Sequence, residues 1–67
     1  MNLMINGTSR EYFDNYRTLA ELLNHPDWSG RLIIVELNGE IVSRENYEDT
    51  PLAEGDRIEV VQFVGGG

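Results

Sequence analysis

The stretch Arg31-Leu32-Ile33-Ile34-Val35-Glu36-Leu37-Asn38-Gly39-Glu40-Ile41-Val42 decides the fold. Its first seven residues are almost continuously apolar, which predicts a central strand with little solvent exposure. Asn38-Gly39 suits the two positive φ angles of a type I′ turn, and Glu40-Ile41-Val42 then returns as the second strand of a hairpin. The chain therefore has a β core at its middle, and the flanks must supply whatever covers it.

Working towards the C-terminus, Ser43 to Thr50 is polar, with Tyr47 as its one large anchor. Pro51-Leu52-Ala53-Glu54-Gly55-Asp56 makes a tight turn into the strand Arg57-Ile58-Glu59-Val60-Val61-Gln62-Phe63-Val64. The period of two puts Ile58, Val60, Gln62 and Val64 on one face and Arg57, Glu59, Val61 and Phe63 on the other. The first set is the core side. Val61 and Phe63 are then partly exposed near the end of the last strand, as a candidate contact patch.

Towards the N-terminus, Leu3-Met4-Ile5 reads as a short strand, Asn6-Gly7 as a second hairpin turn, and Thr8 to Phe13 as its antiparallel return. Tyr12 and Phe13 cannot share a strand face, so one of them looks towards solvent or covers a helix end. Thr18-Leu19-Ala20-Glu21 is a capping-box pattern, with the Thr18 hydroxyl accepting from the amide three residues on and Glu21 reaching back to the cap amide. Leu19, Leu22 and Leu23 stand on one helical face, and Asn24-His25-Pro26 stops the helix. A helix this short is stable only when its leucines dock on a sheet. The sum is an α+β domain, a mixed sheet of four to five strands with one main helix packed across one face.

Size and charge exclude whole classes of function. Sixty-seven residues make one domain, with a radius of gyration of roughly 11 Å by compact-domain scaling. Folding such a chain hides only about 60% of its surface, so the core is too thin to enclose a catalytic pocket or a large cofactor. Five basic residues against twelve acidic ones give a net charge of −7. All the bases are arginines (Arg10, Arg17, Arg31, Arg44 and Arg57), no two of them adjacent, so no basic stripe follows a phosphate backbone. The balance favours basic protein partners and argues against nucleic acid or an anionic membrane. With no cysteine there are no disulfides, thiolate catalysis or cysteine metal sites. The N-terminal apolar stretch is too short for a signal peptide and no run is long enough to span a bilayer, so the expected location is cytoplasmic.

Gly65-Gly66-Gly67 directly follows a good strand. Glycine is the costliest residue to order, so such a tail adds little to a fold. One reading is a frayed end. The other is functional: a tail without side chains passes through a channel too narrow for any β-carbon and presents the Gly67 α-carboxylate to another protein's active site. There it can attack the α-phosphate of ATP, pyrophosphate leaves, and the acyl-adenylate becomes open to a sulfur nucleophile or an amine.

The overall pattern bears on that choice. The strand ending in Asn6-Gly7, Thr18-Leu19-Ala20-Glu21-Leu22-Leu23, Val35 to Val42, Arg44 with Tyr47, Leu52 with Gly55 to Val61, and Phe63-Val64-Gly65-Gly66-Gly67 follow in an order that resembles the ThiS family of sulfur carrier proteins. The resemblance covers essentially the whole chain and rests on order and spacing, not on any one segment. It implies a ubiquitin-like β-grasp domain over residues 1–64, with 65–67 as a flexible C-terminal glycine tail. It also implies that the Gly67 carboxylate is adenylated by an E1-like, ThiF-like enzyme, which uses ATP with magnesium. A sulfur relay, usually starting from a cysteine desulfurase, would convert it to a thiocarboxylate that serves the thiazole synthase ThiG in thiamine biosynthesis. Gly65 and Gly66 would thread the partner's active site. On this reading the chain is a carrier, not an enzyme, and binds no cofactor or metal itself. Ser43 stands where many members have proline, a departure in a loop.

Two alternatives share the pattern: the small subunit of molybdopterin synthase, and a ubiquitin-like interaction module with an inert tail. Among the remaining residues, His25 has no second histidine or cysteine to make a metal site and suits a helix C-terminus. Trp28 reads as a lid over the thin core. Glu48, Asp49, Glu54 and Asp56 read as a solvated acidic face that can steer the carrier to basic surfaces. Val61 and Phe63 are the candidate partner interface.

Overall fold

The computed structural model of the chain describes residues 1–62. Both Asn-Gly pairs form the turns their sequence asks for: Asn6 and Asn38 each have φ near 50°, followed by Gly7 at 81° and Gly39 at 89°. Asparagine tolerates this left-handed region and glycine adopts it without strain, which is why the two hairpins start where they do. The first joins β1 (Asn2–Ile5) to β2 (Thr8–Glu11), and the second joins β3 (Ile33–Leu37) to β4 (Glu40–Val42). Both pairs are antiparallel. β2 stops at Glu11, short of the expected Phe13. There the chain turns away, with Tyr12 buried and Phe13 fully exposed at 103%, which resolves their alternation.

β5 (Arg57–Gln62) fills the gap between the hairpins. It lies parallel to β1, pairing Ile5 with Ile58, and antiparallel to β3, pairing Val35 with Val60. The resulting order is β2-β1-β5-β3-β4, a mixed five-stranded sheet. The last strand among the described residues is thus the middle strand of the sheet, the β-grasp arrangement.

α1 (Leu19–Leu23) packs across one face. Thr18 caps it, its Oγ1 accepting from the Glu21 amide at 3.3 Å. The Glu21 carboxylate accepts from the Arg17 amide at 2.9 Å, one residue further back than a capping box requires. All three leucines are buried among Leu3, Ile5, Val35, Ile58 and Val60. Each fully buried leucine contributes roughly 1.5–3 kcal/mol, far more than the helix gains from its single turn. Trp28 closes the core as expected. Tyr12 stands edge-on to Tyr16 and His25, with ring centroids 5.5 and 5.6 Å away. His25 is half-buried there, its Nδ1 accepting from the Asp27 amide at 3.1 Å, so it is a packed residue and not simply a solvated one. The Cα radius of gyration is 11.4 Å, as the chain length predicts.

Three features depart from the sequence reading. The polar run after β4 is a short 3₁₀ helix, Arg44–Asp49, whose Tyr47 packs against the core. Glu54, exposed as expected, and the half-buried Asp56 both do more than carry charge and hold the turn before β5. Glu54 accepts from the Asn2 amide at 2.8 Å, and the two Asp56 oxygens take the Ala53 amide at 2.8 Å and the Asn38 side chain at 3.1 Å. β3, expected to have little exposure, buries Val35 alone, because α1 covers only one side of the sheet. The boundary expected between residues 64 and 65 lies outside the described residues.

Candidate functional site

The two asparagines that begin the turns also secure β5. Beyond the end of β1, the Asn6 side chain takes over the role of the next strand residue: its Oδ1 accepts from the Val60 amide at 2.7 Å and its Nδ2 donates to the Val60 carbonyl at 3.2 Å. On the other border, the Asn38 Oδ1 accepts from the Arg57 amide at 3.0 Å, and the Asn38 amide donates to the Arg57 carbonyl at 2.8 Å. One clamp grips the start of β5 and the other its fourth residue. Sequence reasoning found both asparagines as turn formers and missed this second task, which depends on partners 19 and 54 residues away.

The face of β5 turned away from α1 is open. Val61 is 54% exposed there beside its β3 partner Ile34 at 41%. Ile41 on β4, at 71%, pairs with Glu36, and Glu36 pairs in turn with Glu59. Leu32, just before β3, is also exposed. The face is therefore an apolar strip enclosing a pair of carboxylates. Val61 sits in it as predicted, joined by Ile34 and Ile41, which the period-two pattern of β3 and β4 could have identified. Phe63, Gly65, Gly66 and Gly67 lie outside the described residues. Gln62 shares the core-side parity but is exposed, because the strand runs past the core's edge; its Oε1 accepts from Arg31 at 3.3 Å.

Side-chain chemistry is sparse around this face. No cluster of three or more metal-ligating side chains occurs among the described residues. The Tyr16 phenol is raised above its ordinary value, by burial first and then by the charges of Asp14, Tyr12 and Asp27, but it belongs to the aromatic cluster on Tyr12. No helix among the described residues is long and apolar enough to cross a membrane.

The fold defines a class: a β-grasp domain whose central strand, β5, comes last in the chain among the described strands. A solved structure of the same kind, the thiamine biosynthesis protein ThiS from Geobacter metallireducens, superposes with a TM-score of 0.82 at 35% identity, each chain covered completely. The sulfur carrier protein ThiS of Bacillus subtilis (strain 168) is 37% identical over 65 residues, 97% of this chain and 98% of the relative. A thiazole synthase of Paramagnetospirillum magneticum is 39% identical over 67 residues; this chain is matched in full but spans only 20% of that protein. The sequence model of the ThiS family matches residues 3–67, and the chain belongs to the ThiS family. It is a sulfur carrier, not a catalyst, and the choice between the thiamine and molybdopterin pathways falls on the thiamine side.

Proposed function

We propose that the reactive group is the α-carboxylate of Gly67 and that the folded domain is the handle by which partner enzymes hold it. The observation that carries this reading is the family match, which runs through the glycine terminus to residue 67. The carboxylate attacks the α-phosphate of ATP in the site of a ThiF-like adenylating enzyme, with magnesium neutralising the phosphates, and pyrophosphate leaves. A persulfide supplied by a relay such as a cysteine desulfurase then attacks the carbonyl carbon through its outer sulfur, and AMP leaves. A second thiolate attacks the donor's inner sulfur in the resulting acyl disulfide, the S–S bond breaks, the donor is carried off as a disulfide, and the terminal thiocarboxylate is released. Gly65 and Gly66 allow the passage, since they place no β-carbon in a narrow channel.

The acceptor in this reading is a thiazole synthase of the ThiG kind. The synthase of Paramagnetospirillum magneticum contains a segment similar to this whole chain, and joining a carrier to its acceptor in one polypeptide raises their effective concentration. Docking falls to the open face around Val61, and to Phe63 by its period-two parity with Val61 in the sequence. An apolar strip left uncovered on so small a protein favours a protein partner. The cytoplasm is the compartment expected for this activation. Intact-protein mass spectrometry after incubation with the adenylating enzyme, ATP and a sulfur source should show one oxygen replaced by sulfur. A mass unchanged under conditions where the enzyme hydrolyses ATP would sink the reading.

A further inference from the structure

Within the open face, Glu36 on β3 stands directly opposite Glu59 on β5 in the antiparallel register. Both alternate with buried residues (Val35 on one strand, Ile58 and Val60 on the other), so both carboxylates belong to the side away from α1. Like charges placed opposite each other across a strand pair destabilise it. Arg57 shares this face two residues before Glu59, yet among the described residues the ion pairs within 4.0 Å join Arg10 and His25 to Asp27, and neither glutamate has one. Ile41 flanks Glu36 on its other side, and Ile34 pairs with Val61 in the neighbouring row of the same face. A fold that needed only a soluble surface would gain by separating these charges.

Charge also decides what can cover the strip. Two copies placed face to face would bring four carboxylates together, on chains that each carry −7, so the pair opposes self-association. An arginine or lysine fits instead, because its apolar stem covers aliphatic surface while its head remains charged. We propose that Glu36 and Glu59 form an acidic seat for one arginine or lysine side chain of the partner enzyme, with its stem packed on Ile41, Ile34 and Val61. This rests on the reading of the open face as the docking surface. The seat adds specificity to that surface, and it relieves the repulsion between the two glutamates only in the complex.

Calorimetric titration of the full chain with the adenylating enzyme and with the thiazole synthase of the same genome, at low and high salt, tests the seat. The double variant Glu36→Gln, Glu59→Gln keeps shape and hydrogen bonding while removing both charges. It should bind at least one of the two enzymes roughly 10- to 100-fold more weakly at low salt and lose most of the salt dependence. Its melting temperature should equal or exceed that of the unaltered chain. Unchanged affinity and salt dependence towards both enzymes, while Val61→Asp abolishes binding, would overturn the seat and leave the docking surface standing. If Val61→Asp also binds normally, the docking reading falls too. A lowered melting temperature in the double glutamine variant would assign the pair to the fold and overturn the proposal.

Discussion

The two faces of the sheet are made by the same strands and have opposite characters. Under α1, the inward set of Leu3, Ile5, Val35, Ile58 and Val60 is buried without a polar side chain among it. On the other side, Ile34, Ile41 and Val61 are at least two-fifths exposed around two carboxylates. The difference shows where a chain of 67 residues keeps its stability and where it leaves apolar surface free for the proposed docking. One helix of five residues can cover only one face, so the burial that holds the fold is concentrated there, and the other face stays open.

The largest effect that would break this division comes from the covered side. Leu22→Ala should cost about 2–5 kcal/mol, most of the stability of a domain this small, as measured by urea unfolding. Its counterpart on the open side, Ile41→Thr, should change stability by less than about 0.5 kcal/mol. Comparable losses from the two would erase the distinction between the faces.

Next in size is the clamp on the strand they share. Asn6→Ala should cost roughly 2 kcal/mol, since it removes both side-chain bonds to Val60 and puts a β-carbon without a local hydrogen bond at positive φ. Asn6→Gly relieves the backbone part and should lose only about 1 kcal/mol. Equal losses for alanine and glycine would show that the turn conformation contributes nothing beyond the side-chain bonds.

The smallest effect concerns the edge of the covered face. The Tyr12 hydroxyl is buried without a hydrogen-bond partner among the described residues. Tyr12→Phe should therefore leave thermal stability unchanged or raise it by up to about 1 kcal/mol. A clear loss would reveal a bond that stabilises this corner.

Much of this division was legible from local chemistry. The Asn-Gly pairs, the Thr18 cap and the leucines of α1 act through neighbours a few residues away, and each was readable. The alternation of β5 correctly assigned Ile58 and Val60 inward and Val61 outward. What escaped depends on distant partners or on the size of the cover. The apolar run of β3 suggested enclosure because a sequence does not state how far a short helix reaches. Asp56 looked like one more surface charge, because its ties to Ala53 and Asn38 appear only when the turn closes. The 3₁₀ segment has no apolar period to announce it, and only Tyr47 hinted that it returns to the core. At the site, Val61 was found through its parity, while the Glu36–Glu59 pairing required the register between β3 and β5.

The middle position of β5 has a mechanical consequence. Its hydrogen-bonded borders run alongside β1 and β3, with Asn38 and Asn6 as additional fastenings. A pull on the chain from its C-terminal end, along the strand, loads both borders in shear. The bonds then resist together instead of opening one after another like a zipper. A chain of this fold held by its C-terminal end can therefore bear tension there without unravelling, whereas the same end on an edge strand would peel away under a much smaller force.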